Sequence, residues 1–265
     1  MLTNKIYLNL TNKCNLECSF CSMYSSPNNW YFLPFKKYKK ILTKQINKIN
    51  HEDRLIVQFE GGEPLLHPHL YLFIEYLKFI KEEMDTEIQL VIDTNGILLE
   101  KHLQSLIQTI TRIKLDTTIK ISINTEIPYL DKHIAFCKDV YDATEFIKLF
   151  HIKFNVRFKN TEDWNLLHTK LLNSNISDDM YVPYQFNAYG RASKNTEYPP
   201  ITISDTYNKW SCFACDGKNF KTDLIARSDY EKLLSVIQRM VTQTMHEENC
   251  KEINSHANNQ ISKHA

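Results

Sequence analysis

Short apolar runs alternate with longer stretches of helical spacing along most of this chain. Lys5 to Leu10 (KIYLNL) reads as a first strand. Phe35 to Ile49 then carries Tyr38, Ile41, Leu42, Ile46 and Ile49 at helical spacing. Leu55 to Phe59 (LIVQF) has strand length, and His67 to Met84 is strongly helical, opened by Pro68 near its first turn. Ile88 to Ile92 (IQLVI) is a third strand, stopped by Asp93-Thr94-Asn95-Gly96, and Leu98 to Ile113 a third helix. Thr118 to Asn124 (TIKISIN) is a fourth strand, followed by a helical stretch from Pro128 to Phe150 with a break near Asp142. Ile152 to Phe158 (IKFNVRF) alternates cleanly, and Thr161 to Leu172 is a helix capped by Asn160 or Thr161. Met180 to Ala188 is a sixth strand, in which Pro183 argues against a central position.

Six strands alternating with helices predict an α/β fold with a parallel sheet and crossover helices. Barrel logic places catalytic groups at the C-terminal ends of such strands. The last quarter breaks the alternation. Trp210 to Cys215 and Phe220 to Ala226 flank Asp216-Gly217, a hairpin signal, and Ser228 to Met245 follows as a helix. From His246 the chain is polar and Asn-rich and is expected to fray. The expected division is a barrel core over 1–195, a hairpin–helix extension over 196–245 and a polar tail over 246–265.

Composition narrows the classes. The 265 residues are 43% hydrophobic and 24% charged, an ordinary globular balance. A net charge of +1 gives no field that argues for nucleic acid or a membrane surface. No apolar run reaches the length of a membrane span, and no signal peptide precedes Lys5. Seven cysteines form no regular disulfide framework, which points to a reducing cytoplasm. Only five glycines occur, at 61, 62, 96, 190 and 217, so each is expected to serve a backbone need.

Three of the cysteines, Cys14, Cys18 and Cys21, fall within eight residues in a C-x3-C-x2-C pattern. Soft sulfur ligands select iron–sulfur clusters, zinc or Cu(I). Three thiolates leave a four-ligand site one short, which suggests a cluster with one iron open. The alternatives are a zinc site completed by a distant Cys or His, and three thiols that are merely buried.

With aromatic Phe20 directly before the last cysteine, this loop resembles the cluster loop of the radical SAM superfamily. The resemblance implies that the three cysteines hold a [4Fe-4S] cluster whose fourth iron is chelated by S-adenosylmethionine (SAM). It implies reductive cleavage of SAM to a 5'-deoxyadenosyl radical that takes hydrogen from an organic substrate. It also implies a partial (β/α)6 TIM-like barrel, carrying here a short C-terminal hairpin and helix, and a reductant such as flavodoxin or ferredoxin.

Glu60-Gly61-Gly62-Glu63-Pro64 follows the second predicted strand, where two glycines permit a sharp turn and close approach to a ligand. It matches the family's GGEP motif, which implies that Gly61, Gly62 and Glu63 bind the cofactor's amino group. Asn95, before Gly96, resembles the family's Asn-Gly, with a plain turn as the equal alternative. Ser122 and Asn124 share one face of the fourth strand, as Asn155 and Arg157 do on the fifth. The resemblance implies ribose and carboxylate contacts for Ser122, Asn124 and Arg157 if those faces point inward.

Other features carry less. Cys212 and Cys215, with Cys137 and Cys250, would formally suffice for an auxiliary cluster, but Cys137 lies in a helix and Cys250 in the tail. Gly190-Arg191-Ala192 resembles a stretch in peptide-modifying members of the family. It favours a peptide or natural-product precursor as substrate. The chain begins almost at its first strand, with no separate precursor-binding domain ahead, which weighs towards a small metabolite such as a sugar or nucleoside. A non-enzymatic iron–sulfur or zinc protein is the reading from another class. His67 and His69 are expected to act as local caps or surface groups, and Lys36, Lys37, Lys39 and Lys40 as a solvated face. Trp30, Tyr31, Phe32 and Phe35 are expected to pack in the core or roof the site.

Overall fold

A computed structural model describes residues 3–21, 23–47, 54–185 and 210–213. The strands are β1 (Thr3–Thr11), β2 (Arg54–Gly61), β3 (Ile88–Thr94), β4 (Asp116–Ile123), β5 (Phe150–Phe158), β6 (Tyr181–Gln185) and β7 (Trp210–Phe213). Between them run helices α1 (Phe35–Ile46), α2 (Leu70–Met84), α3 (Leu99–Ile113), α4 (Leu130–Thr144) and α5 (Thr161–Asn173). The sheet order is β6-β5-β4-β3-β2-β1-β7, and every pair is parallel.

Register explains the architecture. One phase of each strand is apolar: Ile6, Leu8 and Leu10 on β1, Leu55, Val57 and Phe59 on β2, and Ile119, Ile121 and Ile123 on β4. These side chains form one buried cluster with residues of all five helices, such as Leu42, Phe73, Leu106, Ile134 and Leu171. The helices therefore lie on a single face. A twisted parallel sheet covered on one side only curls into an open barrel. The opposite phase is polar, with Asn9 opposite Glu60, Asp93 opposite Lys120 and Ser122 opposite Asn155 in register. That phase lines the inner face, so Ser122, Asn155 and Arg157 point where a ligand would lie.

Local signals explain most boundaries. The Asn160 side chain accepts from the Asp163 N–H and caps α5. Pro183 falls in β6, at the sheet edge, where a missing N–H costs no ladder bond on the open side. Two expectations need correction. The helix expected over 128–150 ends at Thr144, whose hydroxyl folds back onto the Val140 carbonyl at 2.7 Å, and Phe150 starts β5. The helix expected from His67 starts at Leu70, after a separate 3-10 turn at Pro64–Leu66. The segment 210–213 runs beside β1 as a parallel seventh strand. The second hairpin arm, the helix at 228–245 and the tail lie outside the described residues. No helix among the described residues is long and apolar enough to cross a membrane.

Candidate active site

The cysteine loop leaves the C-terminal end of β1 and returns to it. The Cys14 N–H donates to the Ser26 carbonyl at 3.0 Å, the Asn12 N–H to Tyr31 at 3.2 Å, and the Leu33 N–H to Leu10 at 2.7 Å. Inside this stitched loop two sulfurs already receive donors. The Leu16 N–H reaches Cys14 Sγ at 3.4 Å and the Ser25 N–H reaches Cys21 Sγ at 3.3 Å. The Asn95 amide reaches Cys14 Sγ at 3.8 Å and Asn15 Oδ1 at 2.7 Å. Phe20 is half-buried beside Cys21.

Burial pushes the Cys14 thiol up to about 11; the charges of Glu63 and Cys21 add to it, and the Leu16 N–H and Asn95 amide oppose it. Burial likewise pushes Cys18 up to about 12, helped by Glu126, Cys14 and Cys21 and opposed by the Arg157 charge. A soft cation bound in this half-buried loop would turn its thiols into thiolates, since a coordinated thiol is deprotonated outright. The soft donor set and the N–H groups aimed at sulfur fit an iron–sulfur group. Among the described residues no three His, Cys, Asp or Glu side chains gather around a single-ion position.

The glycine pair stands against this loop. The Gly62 N–H donates to the Thr11 carbonyl at 2.7 Å, and the Glu63 N–H to the Lys13 carbonyl at 2.9 Å. A Cβ on Gly62 would lie 2.1 Å from the Lys13 oxygen. On Gly61, whose φ is +136°, it would lie 2.2 Å from Asn9 Oδ1 and 2.3 Å from the Thr11 oxygen. The close approach expected towards a ligand is thus made first towards the entry to the cysteine loop.

Glu63 is fully buried. Its carboxylate accepts from the Leu65 N–H at 3.0 Å, from the Thr94 hydroxyl at 2.8 and 2.9 Å, and from the Asn95 N–H at 2.9 Å. Burial raises it from 4.5 to about 7 in spite of those donors. One side chain therefore ties the end of β2 to the end of β3. Asn95 in turn closes its own turn by accepting from the Ile97 N–H. Gly96 has a φ of +80°, and a Cβ there would meet Ile121 and His133 at 2.7 and 2.9 Å.

On the far side, Asn124 is buried and its Oδ1 accepts from the Glu126 N–H at 3.0 Å. Ser122 and Arg157 are half-buried on the inner face. Glu126, which the sequence reading passed over, accepts from the Ser19 N–H at 2.8 Å and from the Ser19 hydroxyl. This joins the cysteine loop to the β4–α4 loop. Its sequence signal, an acid two residues past a strand, is too common to read alone. The inner-face residues Asn9, Gln58, Glu60 and Asp93 were also missed, although period-two spacing back from Gly62 marks Glu60 and Gln58.

Other candidates separate from the site. Cys137 is buried in α4 beside His133 at 3.5 Å and belongs to the core. Cys212 sits in β7 opposite Tyr7 in register. Cys215, Cys250 and Gly190-Arg191-Ala192 lie outside the described residues. His67 is not a surface group. It is buried against Phe73, with its Nε2 3.1 Å from the Leu33 carbonyl, and burial holds it down to about 4. Phe35 packs on Tyr38, Phe73 and Tyr76, whereas Trp30 is exposed beneath the Lys13 ammonium.

The sequence matches the radical SAM superfamily over residues 8–153, the span from β1 into β5. A probable GTP 3',8-cyclase of Methanocaldococcus jannaschii is 32% identical over 143 residues, covering 53% of this chain and 43% of the relative. The GTP 3',8-cyclase of Chlorobaculum tepidum is 29% identical over 99 residues, 37% of this chain and 28% of that protein. The chain thus spans less than half the length of these curated relatives. Among solved structures, anSMEcpe with bound AdoMet and the Kp18Cys peptide superposes with a TM-score of 0.54 at 14% identity, covering 79% of this chain and 56% of that one. Streptococcus suis SuiB bound to its precursor peptide SuiA gives 0.50 at 15% identity, covering 88% and 66%. Those two likenesses speak for the fold. With more than half its length inside the family match and the same open barrel, the chain belongs to the radical SAM superfamily of enzymes.

Proposed function

We propose that this enzyme cleaves SAM reductively at a [4Fe-4S] cluster and removes a hydrogen atom from an organic substrate. One observation carries the reading. The three-thiol loop and the glycine pair form a single backbone unit through the bonds from Gly62 and Glu63 to Thr11 and Lys13. Cys14, Cys18 and Cys21 hold the cluster, and the Gly61–Gly62 backbone takes the cofactor's amino group. With both groups bound, one electron from the external reductant would pass through the cluster and break the sulfonium C5'–S bond, giving methionine and, after hydrogen abstraction, 5'-deoxyadenosine and a substrate short of one hydrogen atom.

The chain's own residues orient the cofactor. Glu63 has its carboxylate engaged by three groups, so it acts through the turn and the Asn95 amide that it fixes. Arg157, at the C-terminal end of β5, offers a planar cation to a carboxylate. Ser122, Asn124, Asn95 and Phe20 are the further residues we assign to the cofactor. The reading assigns the cell's reducing cytoplasm, where free thiols persist, and a low-potential donor such as flavodoxin or ferredoxin.

A small metabolite is the favoured substrate class, because sequence relatives at 32% and 29% identity bear the name GTP 3',8-cyclase. A peptide is the second reading, from neighbours solved with peptides that share the fold. The test is anaerobic reconstitution followed by electron paramagnetic resonance of the reduced protein. A cubane signal that changes on adding SAM is expected. Tight zinc without iron, or a signal indifferent to SAM, would overturn the assignment.

A further inference from the structure

Asn95, directly after β3, is held from several sides. Its backbone N–H donates to Glu63 Oε2 at 2.9 Å, and its Oδ1 accepts from the Ile97 N–H at 3.0 Å. Its Nδ2 donates to Asn15 Oδ1 at 2.7 Å and reaches Cys14 Sγ at 3.8 Å. These partners fix which way the amide points. Flipped, its oxygen would face the Asn15 oxygen and its NH2 the Ile97 N–H, two mismatches at once. The nitrogen carries two hydrogens, so one serves Asn15 and the other Cys14.

Metal loading would change the Cys14 end of this network. As a thiol, Cys14 Sγ donates towards Asn15 Oδ1 at 3.8 Å. Coordination removes that proton and leaves the sulfur as an acceptor only. The Leu16 N–H at 3.4 Å and the Asn95 amide then both face it. The nearby charges of Glu63 and Cys21 work against negative sulfur at this position. Cys14 is also the buried member of the three, Cys18 and Cys21 being half-buried, and a donor counts for more where the dielectric is low. Hydrogen bonds to sulfur are among the controls on the potential of an iron–sulfur group. A reduced cluster carries one more negative charge than an oxidised one, so each such donor raises the potential. The Leu16 donor is backbone within the loop. The Asn95 donor is a side chain from 81 residues away, and a substitution can remove it.

We propose that Asn95 sets the reduction potential of the cluster on this loop by donating its side-chain amide to the Cys14 sulfur. The inference rests on the proposed function in taking the group held by the three thiolates to be an iron–sulfur cluster. Glu63 then acts on the cluster at one remove, by holding the Asn95 backbone.

The test is an anaerobic redox titration of the reconstituted full chain without SAM, followed by electron paramagnetic resonance of the reduced cluster. Wild type is compared with Asn95→Ser and Asn95→Leu. Serine keeps an acceptor for the Ile97 N–H but is too short to reach Cys14, and leucine keeps the bulk without a donor. Iron content is measured first. Both variants are expected to load as wild type does and to be reduced about tenfold less readily, a fall of about 59 mV for one electron. A variant of equal iron content whose potential matches that of wild type, or lies above it, overturns the proposal. Where one variant fails to load, the other decides. Failure of both to load would make Asn95 a structural support and overturn it too. A wild type that takes up no iron ends the proposed function and this inference together, and iron content alone shows that before any potential is read.

Discussion

Gly62 is a spacer as much as a ligand. Alanine there would drive a Cβ to 2.1 Å from the Lys13 oxygen, a backbone atom that cannot step aside. Overpacking of this kind costs about 1–3 kcal/mol, so Gly62→Ala is predicted to lower the melting temperature of the metal-free protein by several degrees. An unchanged melt would remove the spacer role. Glu63 offers a pH test. Its folded value is raised from 4.5 to about 7, so the folded state holds a proton that the unfolded chain has lost. The site's contribution to stability is full below about 4.5 and is lost as pH rises towards 7. Urea unfolding of wild type against Glu63→Gln should show the wild type losing stability relative to the variant across that window. A constant difference would contradict the buried-carboxyl account. The scarcity of glycine made Gly61 and Gly62 legible in the sequence. Their reason was not, because it depends on the β1–β2 register. Nor was the closure of Glu63 by Thr94 and Asn95, which lie 31 and 32 residues away.

Glu126 belongs to the scale of elements, because it ties the cysteine loop to the β4–α4 loop through Ser19. Glu126→Ala should hasten iron loss to a chelator from the reconstituted protein. Ser19→Ala should do so less, since its backbone N–H still donates. Equal rates in all three proteins would show that the tether is idle. Strand and helix order was readable because hydrophobic period changes at each junction, and Asn160 and Pro183 announced a cap and an edge. The break expected near Asp142 falls close to the end of α4 at Thr144, but the strand that follows was not readable. Ile147 and Leu149 continue an apolar pattern after Thr144, and only pairing of Thr117 with Phe150 shows that a strand has begun. His67 does act locally, accepting from the His69 N–H ahead of α2, but its burial was unreadable for a similar reason: Phe73 and the Leu33 carbonyl are brought to it by the fold.

The described residues form a sheet whose five α-helices cover one face and leave the other polar. Sequence alternation predicted the parallel strands, but not that 210–213 returns beside β1, since a four-residue run carries no register of its own. The polar face explains why inward-facing Ser122, Asn155 and Arg157 are tolerated: each lies where a ligand can meet it rather than against a helix. The central claim is that the cysteine loop and the glycine pair together cleave SAM. Its most direct test is the anaerobic assay of reconstituted wild-type protein with SAM and dithionite, with 5'-deoxyadenosine quantified by mass spectrometry. The account predicts 5'-deoxyadenosine above the no-enzyme control, and its loss, with loss of bound iron, in Cys18→Ala. No 5'-deoxyadenosine from an iron-loaded wild type, or an equal yield from Cys18→Ala, would contradict it.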